Sequence, residues 1–229
     1  MDNLVQRDYN EHLRINSEKS NVMDDKYKLS DDPWGNGARD LYTIPMSRVV
    51  SLVKNHISYQ DSKNNITWLD IGCGGGFVGR AIRKALVENN MNICMEGYDI
   101  SDTAINRLYD NPSHNPYDIL SVVDMEEVTD GSCYKHATIV SLVEVLYYLG
   151  TKRPWKKSVD MLWDSLPIGA IVVVADGLIP YQYRDYLKTK ADASLLHSYT
   201  DPDTVVSEET TSAGKKWKRN LKVRIYQKG

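Results

Sequence analysis

A chain of 229 residues with 41% hydrophobic side chains is enough for one domain, or one domain under a cap, with a substantial core. A net charge of −3 lacks the basic excess of a nucleic-acid binder. No apolar run is long enough to span a bilayer, and the polar N-terminal stretch is unlike a signal peptide, so the expectation is a cytoplasmic protein that binds neither nucleic acid nor membrane.

In chain order, residues 1–32 are polar. Leu4 to Ile15 has weak helical spacing, and the rest up to Asp32 reads as loop or marginal helix. Pro33-Trp34-Gly35-Asn36-Gly37 is a turn cluster. A helix is predicted from about Pro45 to Ile57, with Met46, Val49, Val50, Val53 and Ile57 on one face. This divides the chain into a covering segment, 1–45, and a main domain, 46–229. Asp61-Ser62-Lys63-Asn64-Asn65 then connects to a strand, Ile66 to Ile71.

The next residues, Gly72-Cys73-Gly74-Gly75-Gly76, form a glycine-packed turn leading into a helix near Val78 to Glu88. Glycine permits a sharp turn and close approach of a ligand to the main chain. A corner of this kind at the carboxyl end of a parallel strand binds nucleotides in α/β sheets. Gly74 to Gly79 satisfies the dinucleotide pattern G-x-G-x-x-G, but four glycines in five positions satisfy many patterns. Asp70 argues the other way. At the strand tip, facing the ligand crevice, its carboxylate repels a pyrophosphate and suits a cationic ligand.

A second strand, Ile93 to Ile100, carries Asp99 where an acid accepts hydrogen bonds from ribose hydroxyls with either nucleotide. Asp99 also reads as a cap for the helix starting near Thr103, a task open to Ser101 or Asp102 as well. A third strand, Ile119 to Val123, leads to Asp124-Met125, where a lone Asp also reads as a turn residue. A fourth begins at Ala137. A loop with a possible short helix spans Asp124 to Tyr134, a helix runs from Trp155 to about Leu166, and strand five covers Ala170 to Ala175. Alternating strands and helices predict a parallel sheet. Leu221 to Tyr226 alternates in period two, with Thr204 to Ser207 as its expected partner across Ala213-Gly214-Lys215. The basic run Lys215 to Arg219 reads as a solvated hairpin or, less simply, a binding patch.

The residues L-D-I-G-C-G-G-G-F-V-G closely resemble motif I of the class I S-adenosylmethionine-dependent methyltransferases. S-adenosylmethionine has both a sulfonium and an ammonium to set against Asp70. The resemblance implies an α/β, Rossmann-like seven-stranded sheet, mostly parallel with an antiparallel last strand, helices on both faces and an N-terminal helical lid. It implies S-adenosylmethionine as methyl donor, leaving S-adenosylhomocysteine. It places the donor on Asp70, Gly72, Cys73, Gly74 and Gly76. Asp99 falls at the ribose, Ile100 on adenine, Asp124 at the adenine amino group with Met125 against the ring, and Val143 beside the methionine half. V-E-V-L-Y-Y-L is similar to a segment of the rhizobial nodulation methyltransferases, which N-methylate the glucosamine end of a chitin oligosaccharide. Asp31-Asp32-Pro33-Trp34 resembles a D-P-W segment of the same group, making Trp34 a lid contact or a plug on the first helix. The glycine run and most of the last fifty residues depart from that group.

Methyl transfer from a sulfonium is an in-line displacement that depends on alignment. An amine acceptor needs little beyond desolvation, whereas a hydroxyl needs a general base. Glu144 and His197 are the candidates for that base; each also has an ordinary structural reading. His114 reads as loop surface. Fifteen tyrosines against one phenylalanine put Tyr147, Tyr148 and Tyr181 where a polar, ring-shaped acceptor would sit, or reflect compositional bias. The expected acceptor is a small amino sugar, sugar or amine. Alternatives are a protein or RNA acceptor, or a nicotinamide-dependent oxidoreductase. Cys73, Cys94 and Cys133 read as reduced core residues, and no C-x-x-C or H-E-x-x-H pattern suggests a metal. A monomer or homodimer is expected.

Overall fold

The computed structural model describes residues 22–30, 32–33, 40–57, 66–146, 149, 155–177, 185–210 and 216–229. The segments expected at Leu4 to Ile15, Asp61 to Asn65 and Ala213 to Lys215 lie outside them.

Helix α1 (22–29) is followed by α2 (Thr43–Lys54), then β1 (Thr67–Ile71), α3 (Phe77–Glu88), β2 (Cys94–Asp99) and α4 (Asp102–Asp110). Then come β3 (Ile119–Val122), β4 (Ile139–Val143), α5 (Trp155–Ser165), β5 (Ile171–Asp176), β6 (Ala193–Thr210) and β7 (Lys216–Lys228). The seven strands form one sheet in the order β3-β2-β1-β4-β5-β7-β6. β1 to β5 pair in parallel, and β7 runs antiparallel to both β5 and β6. The chain therefore has the expected α/β sheet with a reversed last strand.

Strand alternation divides the core between the two faces. Trp68 of β1 and Ile171, Val173 and Ala175 of β5 pack with α2, α3 and α4. Leu69, Ile71, Val172 and Val174 pack with α5 on the other face. β1, β4 and β5 are buried along their whole length, as parallel strands covered on both sides must be.

Two elements differ from expectation, and for a third, one of two open alternatives is decided. α2 starts before Pro45, because a proline in the first helical turn gives up an N–H that has no intrahelical partner. Its predicted face holds: Met46, Val49, Val50 and Val53 are buried, and Tyr42 joins the same core. α1 forms where loop or marginal helix was expected. An eight-residue helix is not stable by propensity, and this one is held by docking Val22, Met23 and Tyr27 onto the main domain. The strand expected at Thr204 to Ser207 lies within the much longer β6. Register shifts between Leu195 and His197, Thr200 and Val205, and Val205 and Ser207 break the alternation that would have revealed its length. The backbone of Lys216 to Arg219 pairs with that of Ser207 to Thr210, so most of the basic run is a hairpin strand.

The C-terminal turn of α5 has no basic residue of its own. Lys228 on β7 fills that role, its Nζ donating to the carbonyls of Trp163 (2.9 Å), Asp164 (3.0 Å) and Leu166 (2.8 Å).

Candidate functional site

The strand order reverses between β1 and β4. α/β sheets bind ligands in the crevice at the carboxyl ends of such a pair. The glycine turn after β1 forms one wall. Gly72 and Cys73 donate their N–H groups to the Tyr98 carbonyl at 2.7 and 3.0 Å, tying the turn to β2. Gly72 and Gly74 combine a left-handed φ with no room for a Cβ. Gly72 has φ +73°, and a Cβ there would lie 2.2 Å from Val145 on the segment leaving β4. Gly74 has φ +49°, and its Cβ would lie 2.2 Å from the Tyr27 hydroxyl. The turn is thus pressed from one side by the chain after β4 and from another by α1.

Asp99 sits at the tip of β2, 8% exposed. One carboxylate oxygen accepts from Gly74 N–H at 2.8 Å, the other from Ser101 N–H at 2.8 Å. It does not cap α4: Ser101 does, accepting from Ala104 N–H at 3.1 Å. Asp24 of α1 accepts from the Ser101 hydroxyl at 2.6 Å and the Thr103 N–H at 3.1 Å, while Val22 and Met23 pack on Ile100. Burial raises the Asp99 carboxyl above its ordinary range. The backbone donors oppose that rise, and the charge of Asp24 adds to it.

Asp70 was expected to face the crevice. The structure places it under the turn, 1% exposed, with both oxygens engaged. Tyr117 Oη donates to one at 2.6 Å and Ser141 Oγ to the other at 2.7 Å, with Trp68 Nε1 donating in turn to Ser141 at 3.0 Å. Side-chain alternation on β1 explains the difference: Asp70 shares the face of Trp68, which points into the α2–α3 layer. Burial pushes its pKa up to about 6; Tyr117 and Ser141 oppose this, and Asp99 adds to it. Cys73 is buried, and burial with the charges of Asp99 and Asp70 raises its thiol, making it unreactive.

Gly79, which completes the dinucleotide pattern, has a different cause. A Cβ on Gly79 would lie 2.2 Å from Tyr117 Oη, and one on Gly97 would lie 3.0 Å from the same ring. Both glycines make the slot that holds Tyr117 against Asp70.

On the β4 side, Val143 is buried in the core and Glu144 follows with φ +58°, rare for a residue with a side chain. Its N–H donates to the Ala175 carbonyl at 2.9 Å, and its carboxylate accepts from Gly177 N–H at 2.8 Å. Burial raises the Glu144 carboxyl well above the ordinary range, the charge of buried Asp176 raises it further, and Gly177 N–H works against both. Burial of two carboxyls at the ends of β4 and β5 thus disfavours ionisation of Glu144.

Asp124 and Met125 follow β3 beside this group, where Val123 N–H donates to the Asp99 carbonyl at 2.8 Å, whereas His197 does not join it. Asp124 accepts from Glu126 N–H at 2.9 Å in a tight turn. That turn carries Met125 into the core on the α5 face, where it is 5% exposed. His197 lies on β6, four strand positions from β1 and thus about 19 Å across the sheet. Its Nε2 lies 2.9 Å from that of His56, and burial with the charge on His56 lowers its pKa. Trp34, Tyr147, Tyr148 and Tyr181 lie outside the described residues.

Asp24, Tyr27, Tyr117, Ser141 and Asp176 escaped the sequence reading. Asp176 carried a usable signal, an acid ending an apolar strand, just as Asp70 and Asp99 do. The others reach the site through tertiary packing alone.

No family model and no curated protein matches the chain. Solved structures do. The N-methyltransferase NodS of Bradyrhizobium japonicum, in complex with S-adenosylhomocysteine, is 15% identical over 91% of this chain and 97% of its own, with a TM-score of 0.55. The plantazolicin methyltransferase BpumL, also with S-adenosylhomocysteine, is 14% identical over 97% and 100%, TM-score 0.52. A protein of Listeria monocytogenes described as a putative class I S-adenosylmethionine-dependent methyltransferase is 12% identical over 93% of this chain and 70% of its own, TM-score 0.57. With the strand order and the reversed β7, these likenesses establish that the chain carries the fold of the class I S-adenosylmethionine-dependent methyltransferases.

Proposed function

We propose that the protein transfers a methyl group from S-adenosylmethionine to a nitrogen or oxygen of a small polar acceptor, an amino sugar, sugar or amine. The observation that carries this reading is the charge around the glycine turn. Asp70, Asp99 and Asp24 come together there, and among the described residues no lysine, arginine or histidine forms an ion pair with any of them. Arg80, on the first turn of α3, keeps its charge while donating to the carbonyls of Gly75 and His114 at 3.0 Å each, so three carboxyls stand against this one guanidinium. Such a site opposes a pyrophosphate and suits a cation, which disfavours the nicotinamide alternative.

When bound, the donor supplies a methyl group on a sulfonium. The turn at Gly72 to Gly76 would hold it, with Asp99 accepting from its ribose hydroxyls and Ile100 against the base. In the transfer, the acceptor lone pair forms the new bond to the methyl carbon, and the carbon–sulfur electrons stay on sulfur. The acceptor proton passes to the carboxyl pair of Glu144 and Asp176, and from there to water. The segment 1–45 acts as a cover, excluding water from the reacting centre. The acidic balance of the chain supports a small acceptor over RNA.

Calorimetry with S-adenosylhomocysteine, NAD and NADP tests the donor: binding of the first alone is expected, and binding of either dinucleotide instead overturns the reading. A labelled-methyl screen over amines, amino sugars, sugars, RNA and protein tests the acceptor. Incorporation into RNA or protein alone overturns the small-acceptor reading.

A further inference from the structure

Tyr117 lies on no motif, yet the molecule is built around it. Its ring fills the slot between Gly79 on α3 and Gly97 on β2, 6% exposed, and its hydroxyl donates to Asp70 at 2.6 Å. Asp70 is the acid closest in sequence to the glycine turn, and Ser141 on β4 supplies its other donor at 2.7 Å. The titratable groups around the pair are Asp99 at the tip of β2, Cys73 in the turn and Arg80 on α3. Asp99 opposes ionisation of Asp70, Cys73 is neutral, and Arg80 is held by two backbone carbonyls. The charge on Asp70 therefore depends on two hydroxyl donors. A hydrogen bond to an ionised carboxylate favours that form, so losing either donor favours protonation.

We propose that Tyr117 is a positioning residue of the donor site: by holding Asp70 ionised beneath the glycine turn, it makes the site prefer a cationic sulfonium donor to the neutral thioether left after transfer. The inference rests on the S-adenosylmethionine reading above. Donor and product share adenosine, ammonium and carboxylate, and differ in the methyl group and the sulfonium charge. A fixed negative charge under the turn separates the two, and so favours donor entry and product exit from one site.

The test is calorimetry with S-adenosylmethionine and S-adenosylhomocysteine from about pH 5 to pH 8, on the wild type, Tyr117→Phe and Ser141→Ala. Phenylalanine keeps the ring in its slot and removes only the donor. The wild-type preference for donor over product should weaken as pH falls through the Asp70 pKa of about 6. In Tyr117→Phe the midpoint of that loss should move upward, lowering the donor-to-product affinity ratio about twofold at pH 7 and up to about tenfold at pH 5 for one unit of movement. Ser141→Ala should shift the midpoint in the same direction, which decides the matter if Tyr117→Phe fails to fold. An unchanged midpoint and ratio in the folded variants overturns the role of Tyr117 and leaves the donor reading standing. Failure of the wild type to bind either compound overturns both.

Discussion

Asp70 costs the folded protein stability to keep. Its folded pKa of about 6 stands above the ordinary 3.8, so the native state binds its proton more tightly than the unfolded chain. The sign follows: the penalty is absent below about pH 4, grows as pH rises, and is complete above about pH 6. Two pKa units correspond to about 3 kcal/mol. Asp70→Asn should therefore be more stable than the wild type at pH 7 by up to about 3 kcal/mol, converging with it near pH 4. Denaturant titrations across that range check this, and equal stabilities at pH 7 would refute it. Glu144 makes a second residue-level case. Glu144→Gln keeps an acceptor for the Gly177 N–H and removes the proton acceptor, so kcat should fall about 100-fold with donor affinity unchanged. A variant as active as the wild type would remove Glu144 from the chemistry.

At the scale of elements, α1 has the clearest consequence. Buried apolar side chains contribute roughly 1.5–3 kcal/mol each, and α1 places Val22, Met23 and Tyr27 on the rim of the proposed donor site. The helix docks on Ile100, Ser101 and Gly74, and the first and last of these are proposed donor contacts. Deleting residues 1–32 should leave the sheet folded while S-adenosylhomocysteine affinity drops about tenfold or more, equivalent to some 1.4 kcal/mol. Unchanged affinity and turnover in that truncation would end the idea of a cover. The contrast between α1 and α2 shows what a local reading detects. α2 announces itself through Met46, Val49, Val50 and Val53 on one face; α1 is too short for a period, and its stability comes from residues nearly eighty positions away.

For the whole molecule, legibility followed periodicity. β1, β2, β4, β5 and the helices between them were readable because burial on both faces makes apolar runs and burial on one face makes a 3.6-residue stripe. β6 was mostly hidden because its bulges interrupt the alternation. Around the candidate site, Asp99 and the glycine turn were readable from an acid or a glycine at a strand end, whereas Tyr117 was not. Its partners Gly79, Gly97 and Asp70 come from three other elements, and no spacing along the chain encodes that meeting. Gly79 shows the converse hazard, since it completes a cofactor pattern while serving a tyrosine. His197 looked functional beside so many tyrosines, but its strand is the far edge of the sheet.

The reversed strand also sets an order of events. β7 lies between β5 and β6 yet follows both in sequence. As the chain leaves the ribosome, β6 emerges complete with no hydrogen-bonding neighbour on either side, and β5 with one edge bare. Both exposed edges wait for β7, which satisfies them together and brings Lys228 onto the end of α5. A bare edge is a template for pairing with another chain. Until β7 docks, the most vulnerable part of the folding protein is therefore the half of the sheet farther from the glycine turn, which stays open to misassembly even once the proposed donor pocket has been made.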